Sequence, residues 1–311
     1  MPQNNEYRIL VIKLSALGDF IQALGPMKAI KKHHPDAHIT LLTTKSFKKF
    51  GEKCGYFDDV WIDDRPKLFD VFGWLNLRKK LLNGKFSRVY DLQNNDRTNS
   101  YLKLFPKTRR PEWVGAAKGA SHRNNSPERI AGHALEGHKQ TLGLVGIDNI
   151  KVDELDWINE DLSHFELKPP FVIFVAGCAP QHPQKRWPEK HYSELAKHLN
   201  KKGYKIVLIG GDAEKEINVK IEQQSDNCLN LTGKTSLFQI AAIAHEAYCA
   251  IGNDTGPMHI IGATGCKTIT LFSSYSNPQR HAPKGKNVTV IQKENLNDLK
   301  TSTVINRFAN F

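Results

Sequence analysis

Apolar and polar positions follow two recurring patterns in this chain. Short continuous apolar runs rich in Val and Ile are separated by longer stretches with apolar residues at helical spacing. A short unalternating run marks a strand buried on both faces, as in a parallel sheet. Arg8–Leu14 (RILVIKL) is such a run. A tight connection, Ser15-Ala16-Leu17-Gly18, follows it. Asp19 then opens a helical pattern with Phe20, Leu24 and Met27 on one face. His38–Thr43, Val60–Ile62 and Arg88–Leu92 read as further strands, with a helix over Leu68–Asn83. Residues 97–140 are rich in Arg, Lys, His, Gly and Asn and show little periodicity. They read as surface loops and short helices, a common place for binding function.

Residues 148–170 are acidic, end in Pro169-Pro170 and read as the join between two domains. A cleaner alternation follows. Strands are expected at Phe171–Val175, Lys205–Ile209, Cys228–Leu231, Tyr248–Ile251, Thr268–Phe272 and Val288–Ile291. Pro188 suits the first position of a helix running to about Lys202 and closed by Gly203. Further helices are expected from Asp212, over Ser236–Ala244 and over Pro257–Ala263, and the tail Leu296–Phe311 reads as helical. Strand–helix alternation in both halves predicts an α/β fold, with a doubly wound sheet in each domain.

Length and composition narrow the function classes. The 311 residues suffice for two cores, and 40% hydrophobic with 24% charged residues describes a globular chain. No apolar run reaches the roughly 18 residues of a membrane-spanning helix. The polar start, residues 1–6, lacks the charged and apolar regions of a secretory signal. Five cysteines with no CxxC pair suggest reduced thiols in the cytoplasm, and dispersed histidines predict no metal site. The net charge is +12; residues 1–147 carry +11 of it, and residues 148–161 carry −5. A basic first half suggests an anionic partner: a nucleic acid, a membrane surface or an acidic small molecule. The chain has no evident recognition helix or aromatic-basic motif, so a nucleic-acid partner is not expected.

Four loops at expected carboxyl ends of strands could carry chemistry, since ligands of open α/β sheets sit there. In Lys13–Asp19, Gly18 permits close backbone approach. Asp19 is either a helix cap or a general base that takes a proton from an attacking hydroxyl. This loop lacks the GxGxxG fingerprint, so no nicotinamide cofactor is expected. In Ala176–Arg186, Lys185 and Arg186 precede a helix start that can bind phosphate, or they form a solvated basic turn. In the loop Gly210–Glu214, Asp212 or Glu214 either accepts from ribose hydroxyls or caps a helix. In Gly252–His259, two glycines flank Asp254-Thr255 where a helix opens, and such a start presents N–H groups to an anion. His259 on its first turn is a ligand contact or a core histidine. Asp58-Asp59 and Asp63-Asp64 read as solvated turns.

The pieces RILVIKLSALGD, VYDLQNNDR, KRWPEKHYSELAKHL, LIGGDAEKE, LTGKTSLFQIAAI and GNDTGPMHIIGATG occur in that order from Arg8 to Phe272. As an ordered set they resemble glycosyltransferase family 9, the ADP-heptose:lipopolysaccharide heptosyltransferases. The resemblance implies a GT-B fold, two Rossmann-like doubly wound domains facing each other across a cleft. Residues 1–160 would bind the acceptor, residues 161–295 would bind the donor, and a tail helix, 296–311, would return to the first domain. It implies an inverting, metal-independent transfer with no cofactor beyond the ADP-sugar substrate. Asp19 matches the family's catalytic base. Lys13, near the transferred sugar or the leaving group, belongs to the same motif with Ser15 and Gly18, which would meet the donor sugar or the acceptor. Lys185 matches a phosphate-binding lysine. Asp254, Thr255, Gly256 and His259 match the motif facing diphosphate and sugar, and Asp212 or Glu214 the ribose carboxylate.

The partners implied are a nucleotide-sugar donor and an acidic glycolipid acceptor, with peripheral contact at the cytoplasmic face of the inner membrane. Basic clusters such as Lys45/Lys48/Lys49, Arg78/Lys79/Lys80 and Lys107/Arg109/Arg110 could meet either lipid or acceptor. Arg97 is a candidate for an acceptor carboxylate. The chain departs from the family at Cys178-Ala179, where hydroxyl residues are usual, so the donor could differ. The rival readings are another nucleotide-sugar enzyme on this fold, such as a 2-epimerase, and a non-catalytic nucleotide-sugar-binding protein.

Overall fold

The apolar runs become the strands of two parallel sheets in the computed structural model, which describes residues 7–311. The polar start that bears on a secretory signal, residues 1–6, lies outside the described residues. The chain divides into two units, with the boundary between Val152 and Asp153.

The first unit holds β1 (Arg8–Ile12), β2 (His38–Thr43), β3 (Asp59–Ile62), β4 (Arg88–Asp91), β5 (Glu112–Gly115) and β6 (His122–Arg123). Their order is β3-β2-β1-β4-β5-β6, with every pair parallel. Strand β1 is central, with Ile9 opposite Ile39 on one side and Arg88 on the other. Neighbours on both edges and helices on both faces explain why Ile9–Ile12 are wholly buried and why the run shows no alternation.

The second unit holds β7 (Phe171–Val175), β8 (Lys205–Leu208), β9 (Cys228–Asn230), β10 (Cys249–Asn253), β11 (Thr268–Phe272) and β12 (Val288–Gln292). They are ordered β12-β11-β10-β7-β8-β9. Counted within its own unit, each sheet runs 3-2-1-4-5-6. The order reverses between β1 and β4, and again between β7 and β10. Loops leaving such a switch point diverge and open a crevice at the carboxyl ends of the strands.

Several expectations need correction. Residues 97–140 hold two strands, β5 and β6, and a helix, Ala134–Gly143. Trp113 of β5 is buried, edge-on to Phe105. The helix expected from Leu68 begins at Val71 and runs to Asn83. Its N-cap is Asp70, whose carboxylate accepts from the Gly73 N–H at 2.8 Å, so Leu68 and Phe69 lie in the turn ahead. Asp63 is no solvated turn residue. It is buried, accepts from the Tyr101 hydroxyl at 2.5 Å and from the Arg65 N–H at 2.8 Å.

The acidic join belongs to the second unit. Asp153 is buried and accepts from the Leu155 N–H, and Glu154 pairs with Lys286 at 2.9 Å. The tail, expected to return to the first domain, packs in the second unit instead. A short turn of helix, Leu296–Asp298, leads into the helix Thr301–Ala309. Leu296, Leu299, Val304 and Phe308 join a core with Val172, Phe174, Tyr192, Leu195, Leu208 and Leu271. These four apolar positions fall on one face of the tail, and burying them drives the packing.

Candidate active site

In the first unit the site is built on the loops that leave β1 and β4. Lys13 directly continues β1 and is buried, with its ammonium donating to the Leu92 carbonyl at 3.2 Å. Burial pushes its pKa down, and the carboxylates of Asp19 and Asp91 pull it back up. Asp91 ends β4 and is also buried. It accepts from the Gln93 N–H at 3.0 Å and the Asn94 N–H at 2.9 Å. Desolvation still raises it to about 6, against these donors, Thr98 and Lys13. A lysine and a carboxylate thus share a dry floor at the switch point.

Gln93 ties the two loops together. Its side-chain carbonyl accepts from the Leu14 N–H at 2.9 Å and the Ser15 N–H at 3.0 Å. Asn94, in the left-handed region with φ 49°, accepts from the Ala116 N–H at 2.7 Å. Asn95 caps the helix Asp96–Tyr101 by accepting from the Thr98 N–H at 3.1 Å. Asp91, Gln93, Asn94 and Asn95 of DLQNND therefore each hold backbone in place.

The helix Leu17–His33 starts beside this floor. Asp19 lies in its first turn, half-buried, one helical position past Gly18. Its carboxylate receives one long contact, 3.4 Å from the Ala16 N–H. It is not the N-cap, which is Ala16, but as the third helical residue it caps the helix by accepting from the Ala16 N–H, so the capping role stands beside that of a base. Alongside, a cavity of about 470 Å³ opens at the carboxyl ends of β1, β2 and β3. Leu14, Ser15, Thr44, Lys45, Asp63 and Arg65 are among its lining residues. Arg97 is engaged elsewhere: both terminal nitrogens donate to the Pro66 carbonyl at 3.2 Å, and its guanidinium lies 5.6 Å from the Trp74 ring centre. Its role here is to hold the loop after β3.

In the second unit the loops after β7 and β10 form the corresponding crevice. Asn253, at the end of β10, is wholly buried and bonds on both ends of its amide. It donates to the Ala176 carbonyl at 2.6 Å and the Gly177 carbonyl at 3.2 Å. It accepts from the Trp187 N–H at 3.0 Å and the Tyr192 hydroxyl at 3.1 Å. Both ends of the loop Ala176–Trp187 are fixed this way. Trp187 is buried and donates from its indole to the Leu299 carbonyl at 2.8 Å, which explains the tryptophan in KRWPE.

Lys185 reaches across to Asp254, with Nζ 2.8 Å from Oδ2 in a half-buried ion pair. The helix Gly256–Ala263 opens next to that pair. Thr255 is its N-cap, and no side chain closes the helix mouth. The partial positive charge of that mouth and the Lys185 ammonium are what a diphosphate would meet. His259 is buried on the first turn of the same helix.

Glu214 accepts from the Gly211 N–H at 2.9 Å and lies directly over Gly177. A Cβ at Gly177 would come within 1.9 Å of Glu214 Cγ, so only glycine lets the carboxylate lie there. Asp212 is exposed. Of the two candidate ribose acceptors, Glu214 is the one against the loop Ala176–Trp187. The Cys178 thiol turns inward, donating to the His182 carbonyl at 3.0 Å, and burial raises its pKa. Among the described residues no group of three or more His, Cys, Asp or Glu converges on a common point.

Sequence reasoning singled out Lys13, Asp19, Lys185, Asp254 and His259; the structure places Lys13 and Asp254 directly after switch-point strands and the other three on the loops or helices that those strands lead into. It missed Asp91, Gln93 and Asn253. Gln93 and Asn253 are amides whose bonds reach 61 to 79 residues along the chain. The one available signal was the density of amide and acid residues in DLQNND and GND immediately after apolar runs.

The comparisons with known proteins agree with this geometry. The model of glycosyltransferase family 9 (heptosyltransferase) matches residues 147–309. The lipopolysaccharide core heptosyltransferase OpsX of Haemophilus influenzae is 23% identical over 306 residues, covering 92% of this chain and 85% of that protein. Lipopolysaccharide heptosyltransferase 2 of Escherichia coli is 34% identical over 128 residues, 40% of this chain and 36% of its own length. The solved structure of E. coli heptosyltransferase WaaC with ADP shares the fold, with a TM-score of 0.77 at 20% identity over 97% of this chain and 99% of that one. The family match spans the loops after β7 and β10. This chain belongs to glycosyltransferase family 9, the heptosyltransferase family, and is a glycosyltransferase.

Proposed function

We propose that this protein transfers a heptose from ADP-heptose to the acidic inner core of lipopolysaccharide, by an inverting reaction that needs no metal. The observation that carries the reading is the open helix mouth at Gly256 beside the Lys185–Asp254 pair. A departing diphosphate needs compensating positive charge, and that helix start with a lysine supplies it. In the first unit, Asp19 takes the proton of the acceptor hydroxyl. The hydroxyl oxygen bonds to the anomeric carbon as the bond to the diphosphate breaks, and ADP leaves with the electron pair. The Asp19 carboxylate in turn favours the charged form of the buried Lys13 ammonium. Glu214 holds the ribose. The acceptor's charged sugars suit the basic first unit, and the protein works in the cytoplasm against the inner membrane.

A different nucleotide-sugar is the second reading. It is favoured by Cys178, whose inward thiol makes no hydroxyl-like contact available to a phosphate. One titration separates the two. Calorimetry with ADP, UDP, GDP and CMP in the absence of divalent metal should show preference for ADP, weakened about tenfold or more in Lys185→Ala. Turnover of ADP-heptose should follow. Preference for another nucleotide selects the second reading, and binding of none overturns both.

A further inference from the structure

Six consecutive residues, Lys67–Phe72, stand exposed at the turn ahead of the helix Val71–Asn83. Four of them are large and apolar. Leu68 is 78% exposed, Phe69 92%, Val71 63% and Phe72 81%, and Leu75 on the next turn is 53% exposed. A contiguous apolar surface of this kind on a folded chain marks an interaction site. The helix itself is not short of core contacts. Its other face places Leu77 and Leu81 in the first unit's core, with Trp74 packed against it.

The patch is held rigid. Trp74 donates from its indole to the Lys67 carbonyl at 3.0 Å, Arg97 grips Pro66, and Asp70 caps the helix. Charge surrounds it in a definite pattern. Arg65 and Lys67 precede the apolar residues, Arg78 and Lys79 follow on the exposed face of the same helix, and these four cations outnumber the two exposed carboxylates beside them, Asp64 and the capping Asp70. Apolar tips within a cationic collar are complementary to an anionic bilayer, whose headgroups meet the cations and whose acyl boundary takes the rings. A soluble protein partner would need neither the collar nor so sharp an apolar projection.

The patch also adjoins the acceptor cavity. Arg65 lines that cavity and Leu68 follows three residues later, within about 11 Å along even a fully extended chain. We propose that Leu68, Phe69, Val71, Phe72 and Leu75, collared by Arg65, Lys67, Arg78 and Lys79, dock this enzyme on an anionic lipid surface. The docking puts the 470 Å³ cavity at the level of sugars that stand on that surface. The inference rests on the acceptor being a membrane-borne glycolipid, as proposed above.

The test is flotation of the full chain with vesicles of phosphatidylethanolamine and phosphatidylglycerol, and with vesicles of phosphatidylcholine alone. Wild-type protein should float with the anionic vesicles, and less so as salt rises. Phe69→Ser with Phe72→Ser should lose about tenfold or more of that partition, and Lys67→Glu with Lys79→Glu should lose it at low salt. Both pairs are exposed, so circular dichroism and ADP binding should match wild type. Failure of wild type to float, or equal flotation of the Phe69→Ser/Phe72→Ser protein, overturns the proposal. A dimer in ultracentrifugation that this variant dissolves would assign the patch to a second copy and overturn it too. Turnover of a deacylated, water-soluble acceptor should be the same in wild type and both variants. Its absence in wild type would sink the functional reading while leaving the flotation result intact.

Discussion

Replacing Asp19 by Asn asks whether one half-buried carboxylate carries the proton transfer. The expected result is a loss of turnover on the order of 10² to 10⁴, with ADP affinity and melting temperature near wild type. Near-normal turnover would remove Asp19 from the reaction. Lys13 and Asp91 lie beneath it and touch no substrate in this reading. Asp91→Asn removes the buried negative charge that partners Lys13. The lysine then loses its protonated form more readily, and the pH dependence of turnover should shift while ADP binding stays constant. An unchanged pH profile would leave Asp91 a purely structural residue. At this scale the sequence points to residues whose type is itself a reagent, and the structure places Asp19 in the first turn of a helix and Lys185 against Asp254. The sequence was silent on Gln93 and Asn253, because an amide declares its role only when its partners, dozens of residues away, are brought against it. Arg97 was partly hidden for the same reason: its guanidinium lies against Pro66 and Trp74, neighbours that only the fold brings to it.

The loops after β7 and β10 act as one element because Asn253 joins them. Asn253→Ala would strand the Trp187 N–H and the Ala176 carbonyl in a dry interior. A destabilisation of roughly 2–4 kcal/mol is expected, read as a lower denaturation midpoint of the second unit. ADP affinity should fall as well, since Lys185 lies on the loop released. If stability holds and only affinity changes, the clasp is not structural. Gly177→Ala is a finer probe, displacing Glu214 and weakening ADP binding with little effect on the denaturation midpoint. Elements with a strong period were legible: β1, β2, β7 and β11 fall where the apolar runs predict. Strands β5 and β6 were not. They are short, sit between Pro, Gly and charged residues, and exist because β4 offers an edge to pair with. The start at Val71 was hidden likewise, as Leu68 and Phe69 continue the apolar pattern while Asp70 interrupts the backbone.

Across the whole molecule, two histidines set the response to acid. His138 is buried near Lys13, His133 and Arg129, and burial first and these charges second push it down to about 3. His34, bonded to the Tyr90 hydroxyl at 2.7 Å, is pushed down to about 4. Both ordinarily titrate near 6.5, so unfolding below that pH lets them take up protons. Stability therefore falls as pH drops from about 6.5 toward 4. Asp91 acts in the opposite sense, because its folded value near 6 exceeds that of a free carboxyl and the folded state takes its proton first. Two imidazoles against one carboxyl leave a net loss on acidification. His138→Gln should flatten the melting temperature between pH 6.5 and 4, and an unaltered slope would exclude His138 from the acid response. The two-sheet plan was legible because alternation survives at this scale. The packing of the tail was not, since an apolar stripe says that a helix must be covered and not by what. That packing has a practical consequence for mutagenesis. Through the Trp187 indole, the Leu299 carbonyl is fastened to a loop 112 residues upstream. A deletion in the tail would slacken the loop Ala176–Trp187 from behind, and its kinetics would imitate the loss of a group that the tail does not contain.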